Sequence, residues 1–225
     1  MNDRFFSAVL FDIDGTLVDS NDAHAHAWVK AFREAGIHVG FDEVRRRIGK
    51  GGDKLMPEVS GIAEDQPEGK RLSDRRREIF KAEWLPRLER FRDADRLVAT
   101  LKARGFVVVA ASSAKKDELG ALLKIAGADG VMDAATSSDD ADESKPDPDI
   151  IQAALQRARV SAGDAVMIGD TPYDIEAAGR AGVEAIAFRC GGWGDADLAG
   201  AIAIYDGPWD LLARLDSSPL GRAKI

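Results

Sequence analysis

The chain has 225 residues, 45% of them hydrophobic, which is enough for one large domain or for one domain with an insertion, and excludes a largely disordered protein. The formal net charge of −8 argues against nucleic acid or an anionic membrane as the main partner. A single cysteine, Cys190, excludes an intrachain disulfide, and with no signal-peptide pattern and no apolar run of roughly 18 residues we expect a cytoplasmic protein.

Five short apolar runs along the chain are interpreted as strands. They lie at residues 8–11, 106–111, 131–134, 165–168 and 183–188. Helical periodicity, with apolar residues at i, i+3, i+4 and i+7, occurs between them. Asp147 with Pro148, and Thr171 with Pro172, are typical of a helix N-cap followed by a proline in the first turn. Strands that alternate with helices predict an α/β fold, in which a parallel sheet carries helices on both faces.

One segment interrupts this alternation. Between about residues 21 and 90 no strand-like run occurs, and the helical patterns there are rich in Arg, Glu and Lys. The longest predicted helices of this segment are at 23–35 and 74–88, with a glycine-rich loop at 49–54 between them. The three arginines at 45–47 are interpreted as a solvated helix face.

The helical segment is predicted to form a second, smaller domain inserted after the first strand. Its predicted bounds are 20–90, which leaves residues 1–19 and 91–225 for the α/β core. Ligands of open α/β sheets bind beyond the carboxyl ends of the strands. Because the insertion begins at that edge, we expect it to form an all-helical cap over the site.

Polar side chains follow four of the predicted strands. They are Asp12 and Asp14, Ser112 and Ser113, Lys145, and Asp170 and Asp174. Because the carboxyl ends of parallel strands meet at one edge of a sheet, we expect these side chains to lie close together. Two carboxylates with a third from another strand form an oxygen-rich pocket of the kind that binds Mg²⁺. The metal and the lysine would neutralise the paired aspartates, which are otherwise costly to bury.

Four motifs in a fixed order give the chain a family resemblance. They are residues 12–16 (DIDGT), Ser112 after an apolar strand, Lys145 with Pro146, and residues 169–174 (GDTPYD). With these motifs the chain resembles the haloacid dehalogenase superfamily, in its phosphatase-type branch. The resemblance covers nearly the whole chain and includes a helical cap inserted after the first motif. It implies a Rossmann-like catalytic core.

The resemblance also implies a role for each motif residue. Asp12 would be the nucleophile that takes the phosphoryl group as an aspartyl phosphate, and Asp14 would be the general acid and base. Mg²⁺ would be held by Asp12, by the backbone carbonyl of Asp14 and by Asp170. Ser112 would donate a hydrogen bond to a phosphoryl oxygen. Lys145 would neutralise charge on the phosphate and on the nucleophile.

Five further residues are candidates of lower specificity. Ser113 either contacts the substrate or caps the following helix. Asp174 is expected to support the site as a helix-start charge rather than to bind the metal. His24 is near enough to the nucleophile in sequence to face the cleft, although packing within the cap explains it as well. Lys50 or Lys54, in the glycine-rich loop, is predicted to contact the leaving group.

Three functions are compatible with these motifs. The first is a Mg²⁺-dependent phosphomonoester hydrolase, a monomer or homodimer, that acts on a small phosphorylated metabolite such as phosphoglycolate or a sugar phosphate. The second, a mutase like β-phosphoglucomutase, is disfavoured because Gly52 stands where the mutase-type loop carries an arginine. The third, a non-catalytic sensor of phosphate compounds, is disfavoured because no catalytic position is missing. Asp14 argues against dehalogenase and phosphonatase chemistry, since those enzymes lack the acid–base aspartate.

Overall fold

A computed structural model describes residues 6–221 of the chain. The first residues, on which the interpretation of the N-terminus rests, and the outer ends of the predicted core at 1–5 and 222–225 lie outside the described residues. Within the described part, no helix is both long enough and apolar enough to cross a membrane.

A single sheet of six strands organises the fold. The strands are β1 Ala8–Phe11, β2 Val107–Ala111, β3 Ala134–Thr136, β4 Ala165–Gly169, β5 Glu184–Phe188 and β6 Ala203–Tyr205. Their order is β3-β2-β1-β4-β5-β6, and every neighbouring pair is parallel. β1 lies at the centre with all four residues buried, as expected of a strand covered on both faces. The predicted α/β fold is confirmed.

The strands differ from the predicted runs mainly at the edges of the sheet. β3 begins at Ala134 rather than at 131, because Val131 and Met132 donate backbone hydrogen bonds to Ala128 in a turn. The edge strand β6 was not predicted, since its three residues are too few to show a period-two pattern.

The helical segment contains four α-helices. They are α1 Asn21–Glu34, α2 Phe41–Arg45, α3 Gly52–Ser60 and α4 Pro67–Ile79, and a π-helical turn Phe80–Trp84 with a 3₁₀ turn Leu85–Arg87 extends the last one. α4 starts earlier than the predicted helix at 74–88, with Pro67 at its first turn. α3 starts inside the predicted loop, so Lys54 lies in a helix rather than on a flexible loop.

The helical segment has an apolar core of its own. It is formed by buried side chains from α1 to α4 and their loops: Ala25, Trp28, Phe32, Val44, Ile48, Leu55, Met56 and Leu72. The chain enters and leaves the segment side by side, since Phe91 donates to the Leu17 carbonyl at 2.9 Å and Asp19 to the Glu89 carbonyl at 3.0 Å. These two hydrogen bonds lie shortly after β1, so the helical segment begins and ends at the carboxyl edge of the sheet. The division into two domains at residues 20 and 90 stays a prediction.

Five helices complete the core. They are α5 Ala94–Ala103, α6 Lys116–Ala126, α7 Asp149–Ala158, α8 Pro172–Arg180 and α9 Pro208–Ala213. Alternate residues of β1 face opposite sides, so Val9 and Phe11 pack with α5, α6 and α9, whereas Ala8 and Leu10 pack with α7 and α8.

The two predicted helix starts have different outcomes. Thr171 is the N-cap of α8 as predicted, and its side chain accepts a hydrogen bond from the Asp174 backbone. The N-cap of α7 is Pro148 rather than Asp147, because the Pro148 carbonyl accepts the first hydrogen bond of the helix, from the Gln152 backbone at 2.9 Å.

Candidate active site

Lys145 joins the polar residues that follow three different strands. Its ammonium group lies 2.6 Å from Asp12 Oδ1 and 2.8 Å from Asp174 Oδ1, and it donates to the Ala111 carbonyl at 2.9 Å. The lysine is 1% exposed. Burial disfavours its charge, but Asp12 and Asp174 outweigh that effect and raise the pKa of Lys145 above its ordinary value. The lysine is therefore a fixed cation at the carboxyl edge of the sheet.

Three buried carboxylates surround this edge. Asp12, Asp170 and Asp174 each offer one oxygen within 4.8 Å of the others. Burial raises the pKa of Asp170 well above its usual range, and the neighbouring carboxylates add to the effect. Burial also raises the pKa of Asp12 to about 7, although Lys145 opposes the shift. The raised pKa values mean that three carboxylates beside one ammonium are not all ionised unless a further positive charge is present, and an all-oxygen donor set of this kind fits a hard divalent cation.

Asp170, a predicted metal ligand, is held by side chains that the sequence did not single out. Thr16 Oγ1 donates to its Oδ1 at 2.9 Å, and Asn21 Nδ2 donates to its Oδ2 at 2.8 Å. Gly191 packs so closely that a Cβ there would lie 1.7 Å from Asp170 Oδ2, so no larger residue fits. Gly191, which follows β5, thus has a packing role beside the site.

Asp174 belongs to the carboxylate cluster, whereas the side chain of Asp14 does not. Asp174 Oδ2 accepts hydrogen bonds from the Thr171 backbone at 3.0 Å and from its hydroxyl at 2.7 Å, and Oδ1 faces Lys145. It combines the predicted helix-start role with direct contact to the buried lysine. The prediction for Asp14 concerned its backbone carbonyl and remains a prediction.

Asp14 faces the helical segment instead. Its Oδ1 accepts a hydrogen bond from Ser20 Oγ at 2.5 Å and lies 2.8 Å from His24 Nε2. Burial acts to raise the pKa of Asp14, but His24 and Ser20 outweigh it and lower the pKa below its ordinary value. His24 also stacks on Phe80 with ring centroids 4.0 Å apart. The two interpretations of His24, cleft residue and packing residue, therefore both describe it.

Arg76 connects His24 of the helical segment to the core, and no sequence motif indicated this role. Arg76 Nη1 lies 3.0 Å and 3.1 Å from the two carboxylate oxygens of Glu118 in α6, and Nη2 contacts His24 Nδ1. Glu118 is 1% exposed. Arg76 stands among several arginines of α4, and only long-range packing distinguishes it from its neighbours.

The two serines after β2 are placed differently. Ser112 is buried, and its Oγ accepts a hydrogen bond from the Ala114 backbone at 3.1 Å. Ser113 Oγ is also buried, has no hydrogen-bond partner among residues 6–221, and lines the pocket. An unpaired hydroxyl in this position is available to a ligand. The role predicted for Ser112 stays a prediction.

A pocket of about 270 Å³ lies between the sheet edge and the helical segment. Asp12, Asp14, His24, Lys50 and Ser113 all line it. The pocket is thus bounded on one side by the strand ends and on the other by the helices.

The cationic side chains of the predicted loop are committed to other contacts. Lys50 lines the pocket, but its ammonium pairs with Glu58 at 2.6 Å. Lys54 is not among the described residues that line the pocket, and it pairs with Glu143 and Asp147 of the core.

The interpretation of residues 45–47 as a solvated helix face is wrong for Arg45. Its guanidinium pairs with Asp22 at 2.6 Å and donates to the Gly191 carbonyl at 2.6 Å, which fastens the helical segment to the core.

Comparison with known proteins agrees with this fold. The family model described as haloacid dehalogenase-like hydrolase matches residues 9–188. The chain therefore belongs to the haloacid dehalogenase-like hydrolase family.

Relatives of the chain include named phosphatases. The phosphoglycolate phosphatase of Rhodospirillum rubrum is 30% identical over 211 residues, which cover 88% of this chain and 86% of that protein. The phosphoglycolate phosphatase of Aquifex aeolicus is 28% identical over 221 residues, covering 93% and 96%. The Arabidopsis thaliana chloroplastic protein Suppressor of Quenching 1 is 34% identical over 190 residues, but the chain spans only 18% of its length. The prediction of a phosphatase-type enzyme of this family is confirmed.

Solved structures show the same architecture. A hydrolase from Pseudomonas syringae superposes with a TM-score of 0.87 at 28% identity, covering 94% of this chain and 98% of that one. A β-phosphoglucomutase from Clostridium difficile superposes with a TM-score of 0.82 at 16% identity, covering 96% and 97%. The second likeness shows the fold alone.

Proposed function

We propose that the protein is a Mg²⁺-dependent phosphomonoester hydrolase that acts on a small phosphorylated metabolite through an aspartyl phosphate on Asp12. The observation that carries the proposal is the contact of the buried Lys145 ammonium with Asp12, at 2.6 Å, in a pocket that Asp14 also lines. A carboxylate in contact with a fixed cation, with a second carboxylate lining the same pocket, supplies the groups that phosphoryl transfer through a covalent intermediate needs.

In the first step, a carboxylate oxygen of Asp12 attacks phosphorus and the bond to the alcohol oxygen breaks. The electron pair of that bond goes to the leaving oxygen, which takes a proton from Asp14. The free Asp14 has a lowered pKa, and the incoming anionic phosphate acts to raise that pKa, which favours the protonated form at this step. Lys145 holds the attacking carboxylate in place.

In the second step, Asp14 removes a proton from water, and the water oxygen attacks phosphorus. The bond between phosphorus and Asp12 breaks, the electron pair returns to the carboxylate, and inorganic phosphate leaves. Mg²⁺ would be held by Asp12, Asp170 and the backbone carbonyl of Asp14, and would supply positive charge to the phosphoryl oxygens. Ser112 or Ser113 would donate a hydrogen bond to one of them.

Residues 20–90 are proposed to act as the cap of this site. The helical segment supplies His24 and Arg76 to the pocket and has its own apolar core, which supports this assignment. Water must be kept from the first step so that the phosphoryl group reaches Asp12, and a cap provides that exclusion.

A screen of phosphomonoesters tests the proposal. The purified chain is incubated with Mg²⁺ and a panel that includes phosphoglycolate and sugar phosphates, while phosphate release and sugar isomerisation are followed. Phosphate release that EDTA abolishes and Mg²⁺ restores is expected. Isomerised sugar phosphate without release would indicate the mutase instead, and binding without turnover would indicate the sensor.

A further inference from the structure

The cations that line the pocket are all neutralised by carboxylates of the protein. Among the described residues, the lining contains four lysines and arginines: Lys50, Arg76, Arg77 and Lys115. Their ion pairs are Lys50 with Glu58 at 2.6 Å, Arg76 with Glu118 at 3.0 Å, Arg77 with Asp74 at 3.2 Å and Lys115 with Asp139 at 3.2 Å. In this arrangement none of the four is a free cation that awaits a second anionic group.

Two carboxylates in the same lining, Glu64 and Asp142, have no cationic partner among residues 6–221. Glu64 accepts a hydrogen bond from Ser73 Oγ at 2.6 Å but forms no ion pair among residues 6–221. Asp142 also lines the pocket without an ion pair in that range. A carboxylate only accepts hydrogen bonds, so it attracts hydroxyl and ammonium groups and repels other anions. The lining thus favours donors on the part of the substrate that leaves.

We propose that the enzyme, acting as the phosphomonoesterase proposed above, selects esters of neutral polyols, sugars or amino sugars. Esters whose alcohol carries a second anionic group, such as a carboxylate, are disfavoured, because that group would meet Glu64 and Asp142, and no lysine or arginine among the described lining residues is unpaired to balance it. Two relatives are named phosphoglycolate phosphatase, and phosphoglycolate carries such a carboxylate. The selectivity proposed for this chain therefore differs from the one that those names state.

Matched pairs of esters test this selectivity. Each pair shares one open carbon chain and differs only in a hydroxymethyl group replaced by a carboxylate: 2-hydroxyethyl phosphate against phosphoglycolate, and glucitol 6-phosphate against 6-phosphogluconate. The neutral member is expected to have a kcat/KM at least about tenfold higher in each pair. Equal values, or a preference for the carboxylate member, would overturn the proposal. Failure to hydrolyse any phosphomonoester would instead overturn the proposed function.

Variants that remove the negative charge of Glu64 or Asp142 test whether these two residues cause the selectivity. Glu64→Gln and Asp142→Asn are each expected to narrow the ratio of kcat/KM within a pair by about threefold or more, because the repelling charge is gone. Glu68→Gln is the matched control, since Glu68 is an exposed carboxylate on α4 that does not line the pocket. An equal change in the control would assign the selectivity to overall charge and overturn the role of these two residues.

A second inference rests on different contacts, those between α3 and the segment that carries Lys145. Ser144 Oγ accepts a hydrogen bond from the Gly51 backbone at 3.1 Å, and the Ser144 backbone donates to Asp53 Oδ2 at 3.3 Å. A Cβ at Gly51 would lie 2.5 Å from the Ser144 Cβ, so the close approach requires glycine. The start of α3 therefore contacts the residue directly before the buried lysine.

Lys54 adds an ion pair on either side of that lysine. Its ammonium contacts Glu143, two residues before Lys145, and lies 3.1 Å from Asp147, two residues after it. We infer that Lys54 is a positioning residue, which acts through the segment 143–147 to hold the Lys145 ammonium against Asp12. It follows that docking of the helical segment and placement of the buried cation are coupled.

Separate measurements of kcat and KM in the phosphatase reaction proposed above test this role. Lys54→Met is expected to lower kcat about tenfold, both for the metabolite with the highest kcat/KM in the screen and for p-nitrophenyl phosphate. KM should change less than about twofold, and Lys54→Arg should restore kcat. Lys81→Met is the matched control, because Lys81 also joins the helical segment to the core, through Asp117, without touching segment 143–147.

Two outcomes would overturn this inference. One is an equal loss of kcat in Lys54→Met and Lys81→Met, which would indicate general loosening between the segment and the core. The other is a loss confined to KM for the metabolite, which would make Lys54 a substrate contact as the sequence predicted. If the unaltered protein hydrolyses no ester, the proposed function fails instead.

Discussion

The two walls of the pocket neutralise their charges in different ways. On the sheet side, the side chain of Lys145 is 1% exposed and contacts Asp12 and Asp174 directly. On the helical side, Lys50 and Arg47 share Glu58, whose side chain is 40% exposed. Breaking a buried pair leaves an uncompensated charge in the interior, whereas water screens an exposed pair. Activity and stability are therefore expected to depend more on the buried pairs of the sheet side than on the exposed pair of Glu58 on the helical side.

Asp12→Asn is expected to have the largest effect on activity. The amide keeps the shape of the carboxylate but removes the nucleophile, so phosphate release should fall by more than about 10³-fold. Phosphate release measures the loss, and circular dichroism checks that the variant is folded. A folded variant with substantial residual turnover would exclude a covalent intermediate on Asp12.

Lys145→Met is expected to have the largest effect on stability. It leaves Asp12, Asp170 and Asp174 buried without their cation, which should lower the free energy of unfolding by about 3–5 kcal/mol without added metal. Urea unfolding with EDTA measures the loss, and unfolding with Mg²⁺ should show part of it recovered, since a ligand of the native state stabilises it. A loss below about 1 kcal/mol would mean that the carboxylates lose their charge when the lysine is absent.

Asp170→Asn tests the metal role of the sheet side. Losing one anionic oxygen donor should raise the Mg²⁺ concentration for half-maximal activity by about tenfold or more. Ca²⁺ is expected to compete without supporting turnover, because it takes more and looser ligands. Asp197→Asn, at an exposed position after β5, is the control. An unchanged Mg²⁺ requirement in Asp170→Asn would exclude Asp170 as a ligand.

Arg47→Ala is expected to have the smallest effect. Its guanidinium lies 3.1 Å from Glu58, in a pair with side chains 28% and 40% exposed. An exposed pair contributes less than about 1 kcal/mol, so the unfolding midpoint in urea and the kcat/KM should barely change. A large loss of either would show that the charges of the helical side are coupled to the site more strongly than their exposure indicates.

Local sequence determined the central strands and the residues at their ends. β1 has the bounds that its apolar run predicted, and the Thr171-Pro172 signature gave the start of α8 correctly. Such features depend on residues within a few positions of one another, and a buried central strand is apolar throughout. The order of the four motifs along the chain was enough to indicate the family.

Tertiary structure decided which polar side chains meet. Lys145 and Asp12 are 133 residues apart, and Arg76 reaches Glu118 across 42 residues, so no local spacing distinguishes Arg76 from the other arginines of α4. Packing also decided that Lys54 pairs with Glu143 and does not line the pocket. The Ser113 hydroxyl, by contrast, lines the pocket and has no hydrogen-bond partner among the described residues. Ion pairs and hydrogen bonds between distant segments arise only when packing brings those segments together, and a single sequence does not contain that information.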